Sequence, residues 1–392
     1  MEPARRIQKL SSAVFSEMDD LGRELREKGV DIINLSVGSP DLPPAPHIRQ
    51  ALVKALDEPG IYRYALTEGL PEFKRAVADW YGRRFGVDLD PKSEILSLIG
   101  SQDGLAHLYL ALVNPGDPVL VPDPGYPIYS AGALLAEGEI HWLPLLAENG
   151  FLPELRAVPA DVARRAKVML LNYPNNPVAA VAGLDFFQAV VEFAREYRVV
   201  VVHDIAYSEL AYDGYRPPSF LQAPGAREVG VELHSVSKSY NLAGCRLGFM
   251  VGNAAVLDAL RVVKSNIDFG VFLAVQKAGI AALTGPQDTV REAAAVYQRR
   301  RDILVRGLGE AGWEVPSPKA SMFIWAPLPR GHRSSREFVR ELALRTGVVL
   351  VPGVAFGARG EGYVRIALVG ADERLEEAVH RIRDSGLCSR SE

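Results

Sequence analysis

The stretch His234-Ser235-Val236-Ser237-Lys238, followed closely by Gly244-Cys245-Arg246, decides how the chain is read. It follows the apolar run Val231–Leu233, so two hydroxyls, an amine and a guanidinium gather where a strand ends. A primary amine beside donors suited to one small anion is an unusual set. Its position in the fold therefore matters more than its composition.

Outward from that point, short apolar runs alternate with longer amphipathic stretches. Ile95–Leu98, Pro118–Val121, Lys167–Leu171, Val199–Val202, Val231–Leu233 and Leu247–Val251 read as strands. This rhythm predicts an α/β fold with a mainly parallel sheet. Val199 to Val202 is apolar on both faces, as a central parallel strand requires. Beyond about Gly285 the pattern changes to a long charged helix through 291–308, strands at Phe323–Pro327, Val348–Val351 and Tyr363–Leu368, and a closing helix from Asp372. These residues predict a second, smaller α/β unit that includes the N-terminal helix. The expected division is a large domain at 45–285 and a small one formed by 1–44 and 286–392. The Pro-rich segment Ser39–Pro46 reads as an extended crossing.

A chain of 392 residues is long enough for such an enzyme-sized body, and its net charge of -4 gives no nucleic-acid or polybasic membrane surface. Two cysteines, Cys245 and Cys388, make no disulfide framework and suit a reduced compartment. The charged stretch Met1–Ser16 lacks the apolar core of a signal peptide, and the expected location is the cytoplasm. Neither a nucleic-acid nor a membrane partner is expected, and no metal site.

Several polar groups fall directly after the predicted strands: Gly100-Ser101-Gln102-Asp103-Gly104, Asn172 to Pro177, Asp204, and Ser235 to Lys238. Open α/β sheets bind ligands beyond the carboxyl ends of their strands. Ser101 also opens a helical pattern, whose free amides would face a phosphate. Taken singly, each residue has an ordinary explanation as a cap, a turn former or a solvated charge. Together and in this order they make the set that pyridoxal 5'-phosphate (PLP) requires: Lys238 for a Schiff base with the aldehyde, serines and Arg246 for the phosphate.

On these motifs the chain resembles the fold-type I, class I/II PLP-dependent aminotransferases, from Asn34-Leu35-Ser36-Val37-Gly38-Ser39-Pro40-Asp41 to Arg365. The resemblance implies a large domain with a mainly parallel seven-stranded sheet flanked by helices, plus a smaller α/β domain. It implies that Lys238 carries the cofactor, Asp204 pairs with the pyridine nitrogen, and Asn176 and Tyr207 bond the ring's phenolic oxygen. Tyr126 would stack on the ring, and Ser101, Gln102, Ser235, Ser237 and Arg246 would hold the phosphate. Arg365 would grip the substrate α-carboxylate, with Gly38 offering its backbone and Asn176 beside it. Tyr64 matches a tyrosine that reaches the neighbouring subunit's phosphate, implying a homodimer with shared active sites. The implied activity is ping-pong exchange of an amino group between an L-amino acid and a 2-oxo acid, with Lys238 as the proton carrier.

The motifs are most similar to those of the bacterial LL-diaminopimelate aminotransferase group, whose partner pair is 2-oxoglutarate and glutamate. Val178, Ala179, Cys245, Met322 and Val354 depart from that group's pattern and bear on the expected side-chain pocket. A carbon–sulfur β-lyase on the same fold is the alternative activity, since the cofactor motifs barely separate the two. A nicotinamide dehydrogenase would need a G-x-G-x-x-G turn, which Gly100 to Gly104 does not provide. The effector domain of a transcription regulator would need a DNA-binding module for which no room is expected before Asn34.

Overall fold

The computed structural model describes residues 2–10, 13–66 and 68–388. Met1 and residues 389–392, at the ends of the stretches expected for the small unit, lie outside the described residues, as do Ser11 and Ser12.

In chain order the strands are β1 (Ile33–Asn34), β2 (Ile95–Leu98), β3 (Pro118–Asp123), β4 (Glu139–Pro144), β5 (Val168–Asn172) and β6 (Val200–Asp204). They continue with β7 (Gly230–Ser235), β8 (Gly248–Gly252), β9 (Phe323–Pro327), β10 (Val348–Val349), β11 (Val351–Pro352) and β12 (Tyr363–Ala367). Seven form one sheet in the order β2-β8-β7-β6-β5-β3-β4. Only β8 runs against its neighbours. Valines at 200–202 make β6 stiff and apolar, and helices cover both faces, which is why this strand lies mid-sheet.

β4 was not foreseen. Its sequence, Glu-Ile-His-Trp-Leu-Pro, neither alternates cleanly nor forms an apolar run, because it is an edge strand with only Leu143 and its pairing face shielded. The expected strand Val348–Val351 is divided at Leu350. Val348 and Val349 pair in parallel with β1, whereas Val351 and Pro352 pair antiparallel with β12. One apolar run thus serves two sheets.

Parallel pairing sets Asn172 opposite Asp204, and Asp204 opposite Leu233. Leu98 and Ser235 both face Gly248 across β8. A Cβ on Gly248 would lie 2.9 Å from the Ser101 amide nitrogen, so glycine there lets the ends of β2 and β7 crowd together.

Beneath those ends lies a dry polar network. The buried Glu232 carboxylate accepts from Tyr81 Oη at 2.7 Å, Ser219 Oγ at 2.6 Å and the Phe220 amide at 2.7 Å, with His203 Nδ1 at 2.7 Å. Burial opposes its charge, but His203 and His234 outweigh burial and hold it well below the usual carboxylate range. The network locks β6 to β7 one residue before Asp204.

A separate core joins Met18, Leu25 and Leu35 to Tyr297, Trp313, Phe338 and Leu375, so N-terminal and C-terminal elements bury one another. Among the described residues no helix is long and apolar enough to cross a membrane.

Candidate active site

A cavity of about 670 Å³ opens beyond the strand ends. At one end the helix Ser101–Leu112 points its first turn inward. Gly100 precedes it with φ +75°, and a Cβ there would lie 2.4 Å from Arg246 Nη2. Glycine is therefore what permits the guanidinium to fold against the turn. Ser235 Oγ accepts from the Ser237 amide at 3.2 Å, while Ser237 Oγ is buried with no partner among the described residues. An unsatisfied buried hydroxyl, a guanidinium and a helix N-terminus are complementary to a phosphate.

The turn is held from behind. Asp103 accepts from the Ile99 amide at 2.8 Å and pairs with the fully buried ammonium of Lys264, which also meets Asp268 at 2.9 and 3.0 Å. Burial opposes ionisation of Asp103, but Lys264 outweighs it and lowers its pKa. Asp103, His107 and Asp268 offer ligand atoms within 4.8 Å of one another, yet Lys264 already supplies the positive charge between the two carboxylates.

Deeper in, Asp204 accepts from Tyr129 Oη at 2.9 Å and from the Ala206 amide at 3.1 Å. Burial pushes its pKa up, because these neutral donors only partly replace water. A buried carboxylate of this kind calls for a cationic partner, and a protonated pyridine nitrogen is one. Tyr126 meets Tyr129 edge-on with ring centroids 5.9 Å apart, and Tyr207 meets Phe323 likewise at 5.8 Å. Asn176 lines the same wall. These residues suit a flat heteroaromatic ring with a phosphate at the serine end.

Lys238 donates to the Gly38 carbonyl at 2.6 Å. Burial, then the charges of Arg365 and Arg246, push its pKa down to about 8. Arg365 donates to Asn176 Oδ1 at 2.9 Å and to the Ser36 carbonyl at 2.7 Å, and its guanidinium lies 4.2 Å from the Phe323 ring centroid. Burial lowers its pKa to about 10. Its Nε has no partner, and among the described residues no carboxylate pairs with it. A desolvated guanidinium without a counter-ion is a receptor for a carboxylate.

The cavity thus gathers Gly38, Ser101, Gln102, Tyr126, Asn176, Asp204, Tyr207, Ser235, Ser237, Lys238, Arg246 and Arg365. Tyr64 is not among them: it is 85% exposed, its ring 5.7 Å from that of Phe269. None of Val178, Ala179, Cys245, Met322 and Val354 lines the cavity. Val178 instead packs with Trp325, Val351 and Phe356 beneath it, and Met322 is core. Tyr129, Phe323 and Lys264 were missed in the sequence. The available signal for the first was its place three residues after Tyr126, in the first turn of the helix Pro127–Leu135 that Tyr126 precedes.

This fold and site define an amino-group transferase, and the chain belongs to the family Aminotransferase class I and II, whose model matches residues 30–382. That family uses PLP. Among its relatives is the LL-diaminopimelate aminotransferase of Moorella thermoacetica, 55% identical over 98% of both chains. The enzyme of that name from Desulforudis audaxviator is 53% identical over 97% of both. Among solved structures, BacF of Bacillus subtilis superposes with a TM-score of 0.95 at 37% identity over 99% of both chains. A Thermus thermophilus protein described as a probable N-succinyldiaminopimelate aminotransferase gives 0.90 at 44% identity, over 95% of this chain and all of that one.

Proposed function

We propose that this aminotransferase moves the amino group of LL-diaminopimelate to 2-oxoglutarate, forming glutamate, by ping-pong kinetics in the cytoplasm. The observation that carries the substrate is the 55% identity, over 98% of both chains, to an enzyme of that name. Bound PLP would supply an electron sink for the pair left when the Cα proton departs.

Lys238 is the residue assigned to attach the cofactor. With its pKa near 8, a useful fraction of free amine exists at neutral pH to take a proton from Cα and return it at the cofactor's C4'. Asp204 would keep the ring nitrogen of bound PLP protonated. Tyr129 fixes the carboxylate in place through its hydroxyl. Asn176 and Tyr207 would bond the ring's phenolic oxygen, and Tyr126 would stack on the ring. Ser101, Gln102, Ser235, Ser237 and Arg246 would hold the phosphate. Arg365 takes the substrate α-carboxylate in exchange for its contacts with Asn176 and Ser36.

The active unit is a homodimer. Tyr62, Tyr64, Leu66, Val262, Phe269 and Phe272 are exposed apolar groups in two nearby segments, a patch suited to a second copy. From that patch Tyr64 would reach the partner's phosphate. The reading is tested by steady-state kinetics with LL-diaminopimelate and 2-oxoglutarate. Parallel double-reciprocal lines with glutamate formation are expected. Turnover of alanine or aspartate but not LL-diaminopimelate would refute the substrate.

A further inference from the structure

The turn Ser36-Val37-Gly38-Ser39 lies over the cavity, and its carbonyls receive two of the site's three cations: Ser36 O from Arg365, Gly38 O from Lys238. Its entry is fixed by β1, where the Leu35 amide donates to Val349 O at 2.9 Å. Among the described residues, no hydrogen bond secures the amides of Val37, Gly38 or Ser39. Gly38 also approaches Phe323 so closely that a Cβ would lie 2.5 Å from the ring. The turn therefore needs an anchor at its exit.

That anchor is Asp41. Its carboxylate takes a two-pronged bond from Arg300, at 2.7 and 2.9 Å, and accepts from the Gly370 amide at 2.8 Å. Arg300 comes from the long helix Asp288–Glu310, its side chain only 5% exposed, and also donates to Leu368 O at 3.2 Å. Leu368 and Gly370 directly follow β12, the strand that carries Arg365. The turn is thus stretched between two points of one structural element: Arg365 holds its start and the Asp41–Arg300 pair its end. Burial opposes the Asp41 charge, but Arg300 and the Gly370 amide outweigh it, so the pair stays ionised across neutral pH.

We propose that Asp41 and Arg300 are positioning residues, a clasp that fixes the Ser36–Ser39 turn over the cavity and thereby sets the affinity for the amino-acid substrate. The inference rests on Arg365 being the carboxylate receptor. When a substrate takes Arg365, Ser36 keeps only its local bonds to Asn34, and beyond Ser36 the clasp is what keeps the turn from swinging away and admitting water. A two-pronged guanidinium–carboxylate pair resists rotation as well as separation, which a single hydrogen bond would not.

The test compares Arg300→Met, Arg300→Lys and Asp41→Asn holoenzymes. Arg300→Met is expected to raise KM for the amino donor at least about tenfold while kcat changes less than about threefold, with Arg300→Lys intermediate. Cofactor affinity stays as in the parent, and amide exchange at Leu35 and Ser36, the hydrogen-bonded amides at the turn's entry, quickens. Should Arg300→Met fail to fold, Asp41→Asn carries the test, because Asp41 is a third exposed and its amide replacement can still accept from Gly370. Reduced kcat and cofactor loading with unchanged KM would mean a purely structural pair and overturn the proposal. Arg365→Met separates the two ideas. If it raises KM while neither clasp variant does, the clasp is wrong; if it leaves KM unchanged, the carboxylate assignment beneath it is wrong.

Discussion

Recombination of the apoenzyme with PLP should reveal the unusual acidity of Lys238. The ammonium is buried and faces Arg365 and Arg246, and its pKa is pushed down to about 8. At pH 7 roughly one Lys238 in ten is then a free amine, against roughly one in a few thousand for an ordinary lysine near 10.4, a ~200-fold advantage. The sign is fixed by the direction of the shift: raising pH toward 8 releases the proton and speeds attack on the aldehyde. The second-order rate constant, followed by cofactor absorbance from pH 6.5 to 10, should climb about tenfold per unit and level off near 8. Most of the phosphate is already doubly ionised across this range, so it adds little slope. Arg365→Met removes one of the opposing charges and should move the plateau upward in pH. A rate still climbing tenfold per unit at pH 10 would refute the argument, since it would mean an ordinary lysine.

Three further outcomes follow from the site. Asp204→Asn keeps the shape but loses the charge that holds the ring proton, and kcat should fall by roughly a hundredfold or more in single-turnover measurements. Arg365→Lys keeps a charge but not the fork, so KM for the amino donor should rise by about tenfold or more while cofactor stays bound, checked by kinetics and cofactor titration. Lys264→Met leaves Asp103 and Asp268 without their shared cation, and denaturant unfolding should show a loss of about 3–5 kcal/mol. In that variant PLP should also bind more weakly, because Asp103 holds the turn that begins at Ser101.

The central strands were legible because a parallel sheet covered on both faces writes itself as unbroken apolar runs, and Val199–Val202 is one. The edge strand Glu139–Pro144 was not, since half of it faces water and its pattern follows no single period. Val348–Val351 read as one strand because sequence records burial and not pairing; the division at Leu350 is made by two different partners. In the site, polar residues just past apolar runs announced themselves, and Asp204, Ser235 and Lys238 come together at one edge. Tyr129 and Phe323 stayed hidden because an aromatic residue in an apolar context looks the same whether it fills a core or orients a carboxylate or guanidinium. Lys264 stayed hidden because a lone lysine in a helical stretch looks like a solvated charge. Its burial between Asp103 and Asp268 depends on helices 161 residues apart in the chain, a pairing no local pattern encodes.

The most direct test of amino exchange is an absorbance titration of the purified holoenzyme with LL-diaminopimelate alone, followed by 2-oxoglutarate. The account predicts that the donor converts the cofactor's absorbance in one stoichiometric step, and that the oxo acid restores it with release of one glutamate per site. No conversion with LL-diaminopimelate, or release of pyruvate and ammonia without conversion from an amino acid bearing a β leaving group, would contradict it.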